Sequence, residues 1–400
     1  MHIVFVTPEF ETEKKGGGLA SYIANISRIL VENGHKAIVV VCSEKNDDRI
    51  VWDKGIVVER VINKGKKLPV PFYKIYKSWN LHRRVCKVIK ENKIDLIQYA
   101  SFDSVGFFKL KKVPSVVRIS SDCVMWRELK IYDIAKEDLN KLCFTDKIEY
   151  FSIRNSEYIF GPSKAISKVI EKRVGKEVTI IESPFFIKKV DYNYDIYNKL
   201  LQGKKYYLSH SSMSCLKGTH VIAEVIQEIC KQDESIYFVF AGSDHGIFWR
   251  NGKVVSAKDY ILKKAGDYTD RVIFLGTLSR EELYPIIEGA FACLMPSRAD
   301  NMPNTCIEAM ALGKIVIGTD GASYEQLIED GKNGFLIRID DADDMIKKIE
   351  LINEMNDLQK KELSYNAKET TKRFAPDMIY DSLTSYYDSI VKEWNNKWVR

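Results

Sequence analysis

The chain has 400 residues, 45% hydrophobic and 29% charged, with a formal net charge of +6. This length favours two domains, and the composition is typical of a soluble globular protein. No apolar run approaches the roughly 20 residues of a membrane-spanning helix, and the N-terminus is too short and too soon polar for a signal peptide. The eight cysteines contain no C-x-x-C pair and indicate reduced thiols rather than disulfides or zinc sites. We therefore expect a cytoplasmic protein.

The N-terminal residues predict the start of a parallel α/β sheet. Residues 2–6 (HIVFV) are a short apolar strand, a glycine-rich loop (GGG, residues 16–18) follows, and residues 21–36 have amphipathic helical spacing before the strand AIVVVCS. Glycine lets the backbone approach a ligand closely, and a helix N-terminus offers N–H groups to anions. The loop is not G-x-G-x-x-G, so it is not the dinucleotide fingerprint, and an ordinary tight turn also explains it.

A basic segment runs from Arg60 to Lys93, with eleven Lys or Arg against Glu59 and Glu91, interleaved with aromatic side chains. The favoured interpretation is a solvated face beside a helix. The alternative is a surface that rests on anionic lipid headgroups at the inner leaflet of a membrane, or that binds an anionic acceptor. No recognition motif accompanies the segment, so we expect no nucleic-acid partner.

Short buried strands separated by helical segments continue along the chain, and the pattern then begins again. The first half contains IDLIQYA, SVVRIS and YIFGPS; the second contains KKYYLSHSS, IYFVFAG, RVIFLG, FACLMPS and KIVIGTD. Alternation of this kind predicts two doubly wound, Rossmann-like parallel-sheet domains facing a central cleft. We place them at residues 1–190 and 191–375, followed by a long helix at 376–400. Ligands bind at the carboxyl ends of such strands, so the loops there are the candidate site.

Two such loops in the second half carry charged residues. Lys217 stands at a loop-to-helix step, where its ammonium suits a diphosphate, although a solvated surface lysine is equally consistent. His210 in the same loop is interpreted as structural. Asp300 follows the buried strand FACLMPS, and Glu308 lies eight positions later in a short helix that ends at Gly313. Carboxylates suit sugar and ribose hydroxyls, because an ionised acid accepts several hydrogen bonds.

A structural alternative exists for part of this pattern. Thr305 and Glu308 have the T-x-x-E spacing of a helix capping box, which accounts for Glu308 but not for Asp300. Further along, residues 340–344 (DDADD) contain an Asp-x-Asp pair that resembles a metal motif. These acids directly precede a helical segment, so capping and compensation of the helix dipole explain them better.

The stretch from Pro296 to Leu336 resembles the signature of the retaining glycosyltransferases of family four, the group one type, which adopt the two-domain GT-B fold. The residues that match the family pattern are Pro296, Ser297, Asp300, Glu308, Ala309, Met310, Gly313, Gly321, Glu325, Asp330, Gly331 and Gly334. Weaker matches are Gly17-Gly18, Pro162-Ser163, Lys217-Gly218 and Phe274-Leu275-Gly276.

The resemblance implies a role for each matching position. Glu308 should hold the ribose of a nucleotide sugar, Asp300 the donor sugar, and Lys217 the diphosphate; these three are the catalytic candidates. The implied donor-binding set is Gly17, Gly18, Ser212, Lys217, Phe274, Leu275, Gly276, Thr277, Asp300, Asn301, Met302, Pro303, Asn304, Thr305 and Glu308. Within it, residues 274–277 should lie near the base. The final helix should pack back on the N-terminal domain.

The chain departs from the family pattern at three places. Asp300 stands where glutamate is usual, which shortens the side chain but keeps its charge. Ser212 stands where many members carry arginine, a bidentate phosphate donor. In the N-terminal half, Ser120 and Ser121 precede Asp122 where relatives often show histidine, and these three residues are the acceptor-side candidates.

We expect a retaining hexosyltransferase that moves a sugar from a UDP-sugar or GDP-sugar to a carbohydrate or lipid-linked acceptor, in bacterial surface polysaccharide or glycolipid synthesis. The resemblance implies no metal and no cofactor, since helix N-termini, loop amides and Lys217 stabilise the departing diphosphate. The expected location is cytoplasmic, with peripheral contact to the membrane face as an option. Two alternatives stay open: a GT-B protein that binds nucleotide sugars without transfer, and a sugar-nucleotide epimerase. The oligomeric state is not predicted.

Overall fold

A computed structural model describes residues 1–13, 17–44, 46–63, 68–187 and 189–398. The loop residue Gly16 and three lysines of the basic segment, Lys64, Lys66 and Lys67, lie outside these ranges. No helix among the described residues is long and apolar enough to cross a lipid bilayer. All eight cysteines are free thiols; four of them are buried and Cys143 is exposed.

Sixteen strands are present in the described ranges. They are β1 His2–Thr7, β2 Lys36–Ser43, β3 Arg49–Trp52, β4 Ile56–Ile62, β5 Leu96–Ala100, β6 Ser115–Arg118, β7 Tyr158–Gly161, β8 Thr179–Ile180, β9 Lys205–Ser209, β10 Ile236–Ala241, β11 Ile247–Phe248, β12 Val254–Val255, β13 Val272–Gly276, β14 Ala292–Met295, β15 Val316–Thr319 and β16 Phe335–Ile337. All ten strands predicted from the sequence are among them.

Thirteen α-helices occur in the same ranges. They are α1 Gly18–Glu32, α2 Val70–Glu91, α3 Cys123–Glu128, α4 Phe144–Arg154, α5 Lys164–Val174, α6 Asp195–Leu200, α7 Thr219–Gln232, α8 Ala257–Ala265, α9 Arg280–Gly289, α10 Asn304–Ala311, α11 Ala342–Glu354, α12 Asp357–Thr371 and α13 Pro376–Trp398.

The chain divides into two compact units. The first comprises residues 1–124, 141–184 and 374–400, and the second comprises residues 125–140 and 185–373. The first unit holds an eight-stranded sheet in the order β3-β4-β2-β1-β5-β6-β7-β8, parallel except for β3. The second holds a six-stranded parallel sheet, β13-β10-β9-β14-β15-β16. The apolar runs are buried because helices cover both faces of such sheets, and the predicted doubly wound architecture is confirmed.

Residues 125–140 differ from the predicted division, which placed them in a continuous N-terminal domain over 1–190. They pack with the second unit because the buried Arg298 guanidinium donates to their backbone, reaching the Ile131 carbonyl at 2.6 Å and the Tyr132 carbonyl at 2.9 Å. The Tyr132 N–H also donates to the Phe248 carbonyl at 2.7 Å, beside the hairpin of β11 and β12. This segment is named the excursion below.

The last helix, α13, packs on the first unit, as predicted. Its buried side chains recur at helical spacing, Ile379, Leu383, Tyr387 and Ile390. The Tyr387 hydroxyl donates to the Gln98 amide oxygen in β5. The Tyr380 hydroxyl and the His35 Nε2 lie 2.9 Å apart. The C-terminal residues therefore complete the core of the unit that begins the chain.

Candidate functional site

The candidate site lies at the carboxyl edge of the second unit's sheet. β9, β14 and β15 are parallel neighbours in that sheet, so the loops that follow them meet at one edge. Lys217 follows β9, Asp300 follows β14 and Ser323 follows β15. The Ser323 hydroxyl donates to the Asp300 carbonyl oxygen at 2.7 Å, which joins two of the three loops. The structure therefore brings Lys217 and Asp300 together.

An ion pair joins the Lys217 ammonium to the Asp300 carboxylate. The backbone holds Lys217 in place, because Gly218 adopts φ +71° and a Cβ at this position would lie 1.8 Å from the Pro296 carbonyl oxygen. Only glycine permits that approach. An anion that reaches Lys217 competes with Asp300 for the ammonium and releases the carboxylate to accept hydrogen bonds from hydroxyls.

The helix α10 begins two residues earlier than the capping-box interpretation requires, since its N-cap is Pro303 rather than Thr305. Pro303 is the N-cap and makes no side-chain cap, so Thr305 and Glu308 do not form the box. The proline fixes φ near the helical range and starts the helix at Asn304. Inside the site, buried His210 lies with Nε2 3.2 Å from the Thr305 carbonyl oxygen. Burial lowers the pKa of His210 to about 4, so this neutral ring supports the first turn of α10.

Glu308 pairs with Arg280, a residue that the sequence analysis did not identify. The Arg280 Nε lies 3.3 Å from the Glu308 carboxylate, whose side chain is 7% exposed while that of Arg280 is 48% exposed. Burial raises the pKa of Glu308 above its ordinary value, and the lowering effects of Arg280 and Tyr284 do not compensate. The Glu308 carboxylate therefore stands in a poorly solvated position, while its cationic partner Arg280 is about half exposed.

Replacement of Glu308 by glutamine is expected to raise the unfolding temperature of the ligand-free protein at neutral pH by a few degrees. The folded state binds more protons than the unfolded state between the ordinary and the raised pKa, so stability falls as the pH rises through that window. Glutamine removes this penalty. Thermal unfolding over a pH series should show the two proteins converging toward about pH 4, near the ordinary glutamate pKa.

The control is Glu362→Gln, at an exposed position in α12 of the same unit. It should match the wild type at every pH. A Glu308→Gln protein less stable than wild type at neutral pH would show instead that the pair with Arg280 stabilises the fold.

The other predicted donor-binding residues occupy the neighbouring loops. Ser212 follows β9, where the preceding Ser211 carbonyl lies so close to Gly242 that a Cβ there would be 2.0 Å from its oxygen. The Phe274 ring stacks on Phe240, with centroids 5.5 Å apart, and packs against the core of the unit. Gly276 ends β13 at φ +72° with open space around its Cα, and Thr277 is exposed. Residues 274–277 therefore end the strand with a partly exposed Phe274 and an exposed Thr277.

Two predicted groups lie in the first unit. Gly17, the N-cap of α1 at φ +146°, and Gly18 follow β1; a Cβ on Gly17 would lie 3.1 Å from a Glu9 carboxylate oxygen. Ser120, Ser121 and Asp122 follow β6. Asp122 is buried and accepts from the Tyr150 hydroxyl at 2.6 Å, with the Arg173 Nε at 2.9 Å. Its carboxylate is therefore held by neighbouring helices of its own unit.

The acids at residues 340–344 act as expected at a helix start. Asp341 is the N-cap of α11 and accepts from the Asp344 N–H at 2.8 Å. Asp340 instead binds buried Arg298 and His220, each at 2.8 Å. No group of three or more His, Cys, Asp or Glu side chains in the described part of the chain is arranged to hold a metal ion.

Arg280 and Ser323 are the site residues that sequence reasoning missed. A signal existed for Arg280, since Ser279 and Glu282 form a capping box at the start of α9, shortly after β13 ends. This places Arg280 in a loop-to-helix step at the same edge of the sheet. Ser323 had no signal, because its role depends on a left-handed backbone conformation, φ +71°, that is unusual for serine.

Two family profiles match the chain. The profile described as "Glycosyl transferases group 1" matches residues 196–370, within the second unit. The profile described as "Glycosyltransferase Family 4" matches residues 16–184, within the N-terminal half. Between them they cover the second unit's sheet, every strand of the first unit's sheet except β1, and the whole candidate site.

Curated relatives are distant. An uncharacterized glycosyltransferase of Methanocaldococcus jannaschii is 24% identical over 60% of this chain and 62% of its own length. The spore coat protein SA of Bacillus subtilis is 23% identical over 47% of this chain and 50% of its length. The chain thus spans between half and two thirds of these two relatives. An uncharacterized 41.2 kDa protein from the cps region of Klebsiella pneumoniae is 24% identical over 83% of this chain and 86% of its length.

Solved structures share the fold over nearly the full length. A sucrose-phosphate synthase from Thermosynechococcus elongatus has a TM-score of 0.77 at 15% identity and covers 98% of this chain and 99% of its own. The Anabaena protein HepE, solved in complex with UDP, has a TM-score of 0.70 at 17% identity and covers 97% and 100%. HepE was also solved in complex with UDP-glucose.

Proposed function

The chain belongs to the group 1, family four glycosyltransferases with the GT-B fold, and from this premise we propose that it transfers a sugar from a nucleotide-diphosphate sugar to a carbohydrate or lipid-linked acceptor, with retention at the anomeric carbon. The observation that supports this most is the pair of acid–cation contacts at one sheet edge, Lys217 with Asp300 and Arg280 with Glu308. Two acids and two cations that exchange partners suit a ligand with both hydroxyls and phosphates.

In the proposed complex the diphosphate takes the Lys217 ammonium from Asp300. The N-terminal end of α10 adds to this positive field, since the aligned peptide dipoles of a helix place partial positive charge at its start. Asp300 then accepts from hydroxyls of the donor sugar, and Glu308 accepts from the ribose. Lys217 and the amides stabilise the charge that develops as the bond between the anomeric carbon and the diphosphate oxygen breaks. The proposal requires no metal and no other cofactor.

Retention follows from attack on the face that the diphosphate leaves. The acceptor hydroxyl forms its bond to the anomeric carbon of an oxocarbenium-like ion pair, and its proton passes to the departing diphosphate oxygen. Asp300 positions the sugar in this scheme and is not a nucleophile.

We favour a uridine nucleotide as the donor over a guanosine nucleotide. HepE was solved with UDP and with UDP-glucose, and another structural neighbour, a trehalose-6-phosphate protein of E. coli, with UDP-2-fluoro glucose. The acceptor belongs to bacterial surface polysaccharide or glycolipid synthesis, a proposal supported by the Klebsiella relative from the cps region.

The first test is thermal unfolding with UDP, GDP and ADP, on the wild type and on Glu308→Gln. A ligand at about a hundred times its Kd stabilises by roughly 2.7 kcal/mol, which in a protein of this size is several degrees. We expect UDP to give this shift with the wild type and with Glu362→Gln, and to lose it with Glu308→Gln.

Activity separates the proposal from its alternatives. Release of UDP from UDP-sugars, with or without an acceptor, is expected of a transferase. A UDP shift without UDP release or transfer indicates a protein that only binds nucleotide sugars, and a changed sugar still attached to UDP indicates an epimerase. No shift with any nucleotide contradicts the proposed donor site.

A further inference from the structure

The helix α4 exposes aromatic rings where a globular protein normally exposes polar side chains. Phe144 and Phe151 are 61% and 50% exposed. Lys147, between the two rings, and Arg154, one turn after the second ring, are also exposed. The four residues follow the spacing i, i+3, i+7 and i+10, so they form one stripe along the helix. Other positions of α4, including Ile148 and Ile153, are buried.

The helix α2 repeats this arrangement. Phe72 and Trp79 are 61% and 46% exposed, and exposed Arg83, Lys87 and Lys90 continue the same stripe toward the C-terminus. The aromatic half of the stripe lies at the start of the helix and the basic half at its end. This is the part of the basic segment that the structure describes as a helix.

Aromatic rings connect the two stripes across the loop after β5. The Trp79 and Phe108 centroids are 5.3 Å apart, those of Phe108 and Phe107 are 5.1 Å apart, and those of Phe107 and Phe151 are 5.3 Å apart. We call the combined surface of the α2 and α4 stripes and this loop the aromatic–basic face. It is continuous from one helix to the other.

The charge on this face is predominantly positive. Besides the cations of the two stripes, Lys111 and Lys112 of the connecting loop are exposed. The acids of α4, Asp146 and Glu149, are buried, and Glu149 lies 3.7 Å from the Lys74 ammonium. Exposed Glu91 is the acid at the end of the α2 stripe and lies near Arg49 and Lys87.

We propose that the aromatic–basic face binds the surface of a bilayer that contains anionic phospholipids. Exposed rings fit the boundary between headgroups and acyl chains, while lysine and arginine reach the anionic headgroups around them. A second copy of the chain is the poorer occupant, because pairing this face with itself brings its many cations together. The buried side of α4 carries Tyr150, which donates to Asp122 at the carboxyl end of β6. A helix of the face therefore contacts one of the acceptor-side candidates, which favours a lipid-linked acceptor; this last step rests on the proposed function.

The test is co-sedimentation with vesicles of phosphatidylcholine alone or mixed with phosphatidylglycerol. We expect the wild type to bind the anionic vesicles and to dissociate as salt is raised. Phe72→Ser and Phe151→Ser should each lower the partition coefficient about tenfold. Lys147→Glu with Arg154→Glu should lower it by at least as much. The matched control is Leu358→Ser with Tyr365→Ser in the second unit, where these side chains are 75% and 62% exposed; it should bind like the wild type.

Retained vesicle binding by the Phe72→Ser, Phe151→Ser double variant, or no binding by the wild type, overturns the proposal. So does light scattering that shows a dimer dissolved by the same substitutions without any vesicle binding. The UDP-dependent thermal shift is measured on every variant without lipid. Vesicle binding without a UDP shift supports the lipid-binding face and contradicts the proposed function. A UDP shift without vesicle binding contradicts the lipid-binding face and leaves the proposed function supported.

Discussion

Replacement of Lys217 by alanine is expected to lower kcat for sugar transfer by about a hundredfold to a thousandfold, the usual effect of removing one donor to a developing charge. The ammonium sits at the carboxyl edge of the sheet with Asp300 as its partner. In the proposed reaction it moves to the diphosphate, where negative charge grows as the sugar leaves. Steady-state kinetics with a UDP-sugar, and with a soluble acceptor once one is identified, measures the loss. Lys231→Ala, at the exposed end of α7, is the matched control.

A double variant distinguishes leaving-group stabilisation from simple neutralisation of Asp300. Lys217→Ala leaves the Asp300 carboxylate without the ammonium, which is itself a disturbance. If Lys217 serves only to neutralise that acid, adding Asp300→Asn to Lys217→Ala restores activity. We expect the double variant to stay as slow as Lys217→Ala or slower. Restored activity, or a raised KM with an unchanged kcat, contradicts the assigned role.

Replacement of Arg298 by leucine is expected to destabilise the second unit by about 2 to 3 kcal/mol, because it removes a buried guanidinium from a partly exposed carboxylate and leaves carbonyl oxygens unpaired. Arg298 is 4% exposed and binds Asp340 at 2.8 Å and the excursion carbonyls of Ile131 and Tyr132. Burial alone raises the pKa of Asp340, yet hydrogen bonds from His220 and Arg298 bring it below its ordinary value. Urea unfolding measures the loss.

The matched control for this variant is Arg338→Leu. Arg338 is also paired with an acid, Asp341, but its side chain is 73% exposed, so the expected loss is below about 1 kcal/mol. Hydrogen exchange should show faster exchange at residues 129–132 in Arg298→Leu only. Equal stability of the two variants would show that water replaces the Arg298 contacts without cost.

Local sequence patterns were sufficient to predict most of the fold. The apolar runs such as HIVFV and FACLMPS become buried parallel strands, because each run is short, continuous and bounded by turn residues. Asp300 and Lys217 were both assigned to the candidate site because residues just past parallel strands share one edge of a sheet. Gly313 follows α10 at φ +74°, as a helix stop requires.

Contacts between distant residues were beyond sequence reasoning. Glu308 has the spacing of a capping residue relative to Thr305, but its partner is Arg280, which lies 28 positions away. Arg298 meets the carbonyls of the excursion across 166 and 167 positions. Neither pairing produces a periodic pattern in the sequence, because each depends on loops that come together only when the sheet has formed.

The excursion decides how this chain can be recombined with its relatives. The backbone passes from the first unit to the second after Val124, returns at Lys141, leaves again after Pro184 and returns at Phe374. A chimera with one junction near residue 185 therefore sets a foreign excursion against the native Arg298. Exchange of sugar-donor preference by gene fusion requires a graft with four junctions, in which residues 125–140 accompany residues 185–373.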